Sequence, residues 1–468
     1  MPVNLHESLA WKQADADQTR LLQDLQANIL KGHGRSHTAH LFLHFADAAA
    51  ARSVVQLLAP QVTDARQQLV DAENFKLNQV PGGLVTLLFL THGGYSVLGL
   101  SGNVVPDDPA FVDGMAARHG LLADPAPSAW DKHLRGSIHA MVLLADDTAA
   151  QVRRARNTIV GSLPSAATLL GEETGLGMAS RLSPGEGIEH FGYVDGRSQP
   201  LLLKEQVARE RDERDGISVW NPEFPLSTAL VRDPGGKTPQ SFGSYFVFRK
   251  LEQNVRGFKR AEENLAKALG LTGEDEERAG AMMVGRFEDG TPVVLQRGDG
   301  MNDPVPNNFD FRDDASGAKC PLHSHIRKSN PRGESASTPA GLAAERSHIM
   351  VRRGITYGKR AKHPNSRRLT LAEMPTKDVG LLFMAYQNDI ANQFEFTQAS
   401  WVNNPDFVRN GTGIDPVIGQ GPAGGQACPV GWGGDASSPR KSFDFRGFVK
   451  MKGGAYFFAP SISFLKSL

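Results

Sequence analysis

Cysteine, net charge and long apolar runs are all scarce in this chain. Two cysteines, Cys320 and Cys428, stand among 468 residues, which excludes a secreted scaffold stapled by disulfides and points to a reducing compartment. Lys plus Arg and Asp plus Glu both total 51, so the formal net charge is zero. No field of one sign draws the whole protein to nucleic acid or to an anionic membrane. A local basic patch stays open, because Arg and Lys cluster over 346–368. The longest apolar runs, such as Leu84–Leu90 and Ala140–Ala145, have strand length and fall well short of the ~20 residues that span a bilayer. The N-terminus MPVNLHESLAWKQADADQ has no basic segment leading into an apolar one and no twin-arginine pair, so a cytoplasmic location is expected.

What is present is enough for sizeable cores: 40% of the residues are hydrophobic, and the length calls for more than one small core. The expected division is a helical lead-in over 1–36, one unit over 37–235 and a second over 236–468. In the lead-in, LLQDLQANILKG sets Leu21, Leu22, Leu25 and Ile29 on one helical face, with Gly32 as the stop. HLFLHF (40–45), GLVTLLFL (83–90) and IHAMVLLADD (138–147) read as strands, each followed by a helical pattern. Residues 162–240 lack periodicity and read as loop, with KEQVARERDERDG (204–216) as a solvated charged helix or exposed loop. From Ser241 the rhythm returns: a strand and helix in GSYFVFRKLEQNV, a buried strand in GLLFMAY (380–386), a helix over 388–402 and an aromatic-rich strand in AYFFAPSISFL. The Gly-rich stretch 419–439 reads as a surface loop. Without a long parallel βαβ rhythm, a compact α+β sandwich is the expected architecture.

Chemistry concentrates in CPLHSHIRKSNPR, HIMVRRGITYG and HFGYVDGRSQP. His325 opens a short helix that Pro331 ends, which leaves Arg332 close by. An iron porphyrin requires an axial imidazole and cations for its two propionates, and residues 325–332 carry both. A zinc site from Cys320, His323 and His325 is the competing reading, but it lacks a fourth ligand. The attachment pattern C-x-x-C-H is absent, so a haem here would be non-covalent haem b. Asp195 sits on a turn flanked by Gly192 and Gly196, which let the backbone bend tightly and approach a flat ligand; a carboxylate there can move a proton to and from hydrogen peroxide. Arg352 and Arg353 lie on a strand-like segment and point to opposite faces, so one can stabilise negative charge at the peroxide. Each residue also has a plain reading: a surface histidine, a turn aspartate, two edge-strand arginines.

Taken in order, the pieces GYVDG…QP, GSYFVFRKLEQNV, MVGRFEDGTP, CPLHSHIRKSNPR, VRRGITYG, GLLFMAYQNDIANQFEFTQASW and YFFAPS resemble the dye-decolourising peroxidases, specifically their longer-chain branch. The resemblance runs from about Gln26 to Leu465. It implies two ferredoxin-like α+β domains, each an antiparallel sheet with helices on one face, and haem b held mainly by the second. It implies Asp195 as distal acid–base, Arg352 as distal arginine, His325 as iron ligand and Arg332 as propionate partner. Leu381 and Phe383 match apolar pocket residues, and Asp389 the acceptor for the proximal imidazole N–H. Hydrogen peroxide would be the oxidant, with organic electron donors such as dyes and phenolic compounds oxidised in one-electron steps. Arg197 departs from the pattern, where an aliphatic residue is expected. Trp220, Trp401, Trp432 and Tyr386 are candidate electron relays by position, with packing as the alternative role. A haem carrier or iron-handling protein of the same fold, without turnover, is the alternative function.

Overall fold

The computed structural model describes residues 3–337, 341–366, 369–421 and 425–468. Arg367 and Arg368 of the basic cluster, and 422–424 of the Gly-rich stretch, lie outside the described residues. Four strands form the first half of a sheet: β1 (His37–Phe45), β2 (Val85–Leu90), β3 (Ala140–Asp146) and β4 (Ala167–Leu176), in the antiparallel order β4-β1-β3-β2. The second half repeats that order with β5 (Phe242–Gln253), β6 (Val351–Arg352), β7 (Ile355–Tyr357), β8 (Gly380–Gln387) and β9 (Val449–Ala459), running β9-β5-β8 with β6 and β7 both on the far edge of β8. Both halves are thus antiparallel sheets, as expected. Their edges then join, Tyr357 of β7 to Gly175 of β4 and Phe458 of β9 to Leu90 of β2, which closes one antiparallel barrel.

Alternation along the strands separates inside from outside. Phe42 stands 5.1 Å from Phe248, and Phe89 4.4 Å from Phe246, between strands that are not neighbours. These rings therefore meet across the barrel, together with Leu382, Met384 and Tyr386. The opposite face of β1, through Leu41, Leu43 and Phe45, packs on Ala51, Val54, Val55 and Leu58 of helix Ala48–Leu58. In β5 and β8 the outward positions are Arg249, Leu251, Leu381 and Phe383, paired in register as Arg249 with Phe383 and Leu251 with Leu381. They line the main cavity of the protein.

Several local expectations change. The lead-in helix α1 (Ala16–Asp24) stops before Ile29, because Leu25 is extended and Asn28 has φ of 69°. Gln26 is needed elsewhere: its side-chain amide bonds Leu88 N–H (3.0 Å), Leu88 C=O (2.8 Å) and Pro460 C=O (2.9 Å). It so fills the ladder beside the β2–β9 seam. The region 162–240 contains the ten-residue strand β4, and the stretch 419–439 carries strand Gln426–Pro429, paired with Arg440–Phe443. The helix expected over 388–402 is wound as π-helical turns, Ala391–Glu395 and Thr397–Val402. Among the described residues no helix is long and apolar enough to cross a membrane.

Below the cavity floor Arg249 makes a bidentate pair with Asp124, at 2.7 and 2.6 Å, both side chains being buried. Asp124→Ala strands that guanidinium, and urea unfolding should show a loss of ~3–5 kcal/mol, the scale for breaking a buried ion pair from one side.

Candidate active site

His325 begins a single helical turn, His325–Ser329, that Asn330 and Pro331 terminate. Its Nδ1 lies 2.8 Å from Oδ2 of Asp415. Oδ1 of that buried carboxylate accepts from the N–H groups of Val417 (2.7 Å) and Ile418 (3.0 Å), so only Oδ2 is left for the imidazole. Burial works to lower the affinity of His325 for a proton, but the Asp415 charge and hydrogen bond outweigh it and the pKa is raised. The bond also selects the tautomer: Nδ1–H donates to Asp415, and Nε2 keeps its lone pair. Asp389 does not take this part. Its carboxylate caps the following π-helical turn, Oδ1 accepting from Asn392 N–H at 2.8 Å. Asp389 terminates β8 and begins a helix, a position where a short acceptor is wanted locally; Asp415 reaches His325 from a loop.

Across the cavity, Asp195 ends a two-residue strand, Val194–Asp195, paired with Gly187–Ile188. Gly192 (φ 105°) and Gly196 (φ 82°) hold the bends on either side in left-handed conformations. Arg352 of β6 sets its Nη1 3.8 Å from Asp195 Oδ1. Ser198 C=O accepts from its Nη2 at 3.2 Å, and Gln199 Oε1 from its backbone N–H at 3.1 Å. The chain segment that carries Asp195 therefore also aims Arg352. Arg353 points the other way, donating to the carbonyls of Asn28, Ile29 and Arg352.

Beside these walls lies a group of guanidiniums. Arg332 is stacked between the rings of Trp220 (4.1 Å) and Phe309 (4.0 Å). It donates to the carbonyls of Asn307 and Phe309, to Asn307 Oδ1 and to Ser198 Oγ. Arg286 donates to the carbonyls of Gly290 and Pro306 and reaches the same Ser198 Oγ at 3.3 Å. Among the described residues neither has a carboxylate in ion-pairing range. Burial, then the neighbouring Arg197 charge, lowers Arg286 to about 9; burial and the two other arginines lower Arg332 further. Arg197 differs: Glu210 takes it at 2.6 Å and Asp215 at 3.3 Å. The charged helix Lys204–Glu213 thus turns one buried acid, Glu210, inward.

Asp195, Arg352, His325, Arg332, Arg286, Leu381 and Phe383 all line one cavity of about 1040 Å³. Of the catalytic and haem-binding residues expected from the family resemblance, Asp389 alone stands away from it. Arg286 lies within MVGRFEDGTP, a segment of the family resemblance to which no site role is attached, and no local pattern marks Asp415. The zinc alternative finds no support: among the described residues no three His, Cys, Asp or Glu side chains group to hold a metal. His323 instead faces Cys428 Sγ at 3.9 Å in a buried setting. The aromatic candidates all pack: Tyr386 inside the barrel, Trp220 on Arg332, Trp401 against Phe407, and Trp432 with its N–H on Val293 C=O.

Comparison with known proteins is decisive. Residues 24–175 match the family model described as DyP dimeric alpha+beta barrel domain, and residues 214–409 that of Dyp-type peroxidase, C-terminal. The multifunctional dye peroxidase DyP2 of Amycolatopsis sp. is 49% identical, with both chains covered in full. The chain belongs to the dye-decolourising peroxidase family. The solved structure of that relative superposes with a TM-score of 0.95, at 48% identity and full coverage of both chains. A DyP-type peroxidase from Anabaena sp. superposes at 0.91, with 40% identity and 99% and 98% of the two chains covered. Peroxidase 2 of Mycetinis scorodonius is 31% identical over 95% of this chain and 87% of its own length. The protein is a peroxidase, and dye-decolourising peroxidases are haem enzymes.

Proposed function

We propose that this peroxidase holds non-covalent haem b in the 1040 Å³ cavity, reduces hydrogen peroxide there, and oxidises dyes and phenolic compounds one electron at a time. The observation that carries the reading is that a His325 Nε2 freed by Asp415 and an Asp195–Arg352 pair line the same cavity. Two further features support it. Leu381, Phe383 and Phe394 give flat apolar walls. Arg332 and Arg286 are buried cations without carboxylate partners among the described residues, a costly state that an anionic group such as a propionate would relieve.

Haem, when bound, supplies the iron that reduces peroxide and the oxidising power passed to the reductant. His325 would hold the iron through its Nε2 lone pair, and Asp415 would make it a stronger donor by accepting the Nδ1–H hydrogen bond. Asp195 takes the proton from one peroxide oxygen and hands it to the other, the leaving one. Arg352, held by Ser198 and Gln199, stabilises the negative charge that builds as the O–O bond opens. Arg332 and Arg286 are donors for the propionates.

The test is rapid mixing of the haem-loaded ferric protein with hydrogen peroxide. Arg352→Leu should slow that bimolecular step by roughly 10²–10³-fold, the effect of deleting one preorganised donor, with haem content unchanged. A rate equal to wild type would remove Arg352 from the mechanism.

A further inference from the structure

Glu189 is half-buried at the base of the distal turn, on the cavity wall. Its Oε2 accepts from Phe191 N–H at 2.7 Å and its Oε1 from Tyr193 N–H at 3.1 Å. Gln253 of β5 donates its side-chain N–H to Oε2. Through Tyr193 N–H this carboxylate fixes the bend that Gly192 permits, two residues before Asp195. We propose that Glu189 is the positioning residue of the distal site: its carboxylate sets the turn that delivers Asp195, and its charge state sets how firmly. The inference rests on Asp195 being the acid–base group.

An ionised Glu189 has two acceptor oxygens for these three donors. A neutral carboxyl spends one oxygen on its own proton, and the turn loses part of its anchorage. Burial, opposed by the three hydrogen bonds and reinforced by the Asp195 charge, raises its pKa to about 7. Gln253 is uncharged, and the Arg360 cation beyond β7, whose Nη1 donates to the carbonyl of His190, interacts with the Glu189 charge without offsetting burial. His190, on the same turn, is kept neutral by burial, which lowers it to about 4. Glu189 is therefore neutral below about pH 7 and ionised above it. The turn tightens as pH rises through that value.

Glu189→Gln is a close mimic of the neutral form. Gln253 Oε1 is buried without a partner among the described residues, so turning its amide over lets it accept from the new amide N–H. The experiment is the peroxide step of the haem-loaded protein measured against pH, with infrared difference spectra of the carboxyl band across neutrality. Wild type should gain on the order of threefold in rate as pH rises through neutrality, and Glu189→Gln should lack that step and one titrating carboxyl band. Glu189→Ala should be slower at every pH by about 10-fold, the scale of a misplaced catalytic group. A wild-type step and an undiminished band in Glu189→Gln, or a wild-type rate in Glu189→Ala, would overturn the proposal. Asp195→Asn run in parallel separates the failures: if it keeps the wild-type rate, the acid–base reading falls and not merely the role of Glu189.

Discussion

Asp195→Asn should slow the reaction of the ferric haem-loaded protein with hydrogen peroxide by roughly 10²–10⁴-fold, the usual worth of a positioned acid–base group. The substitution is nearly isosteric. The amide oxygen can still accept from Gly196 N–H, a bond of 2.7 Å in the native turn, and the left-handed glycines on both sides are untouched. What disappears is the capacity to take a proton, along with the negative charge opposite Arg352. Haem content and the visible spectrum should stay as in wild type, which separates this effect from a damaged fold. Stopped-flow mixing reads the rate directly. An unchanged rate constant would mean that another base handles the proton.

His325→Ala should cost more still, because it removes the proposed iron ligand. Titration of the apoprotein with haem should show affinity reduced by more than about 100-fold, since even the partners of metal ligands account for 10–100-fold. The Soret band should shift to that of haem lacking the protein imidazole, and added imidazole should restore part of the native spectrum. The neighbouring carboxylates provide an internal control. Asp415→Asn weakens the bond to Nδ1, and the reduction potential of the iron should rise. Asp389→Asn leaves the imidazole bond untouched, because Asp389 caps a helical turn instead. Full haem occupancy with a native spectrum in His325→Ala would place the ligand elsewhere.

The residues that sequence reading finds are those whose neighbours in the chain announce their work. His325 is followed by a helix stop and an arginine; Asp195 stands between glycines that the turn needs; Arg352 lies on a short strand. Residues that act through long-range approach leave no such trace. Asp415 lies in a loop, 90 residues from the imidazole it holds, whereas the family resemblance points to Asp389. Arg286 resembles any charged residue until its burial and its lack of a carboxylate are seen. The same division holds for the fold. Apolar strands such as β2, β5 and β8 are legible from composition. β4 is not, since TLLGEETGL mixes polar and glycine residues; pairing with β1 and β7 makes it a strand. The joining of two sheets depends on edges meeting, and α1 stops short because Gln26 is drawn into the seam.

That seam has a consequence for biosynthesis. β9 sits between β2 and β5, yet it is the last of the barrel strands to leave the ribosome. Until it arrives, both flanking strands present unpaired edges, the kind of surface on which partly made chains stick together. Contacts between the first and last strands are the slow ones to form. A chain cut before Val449 should therefore emerge as an aggregating product.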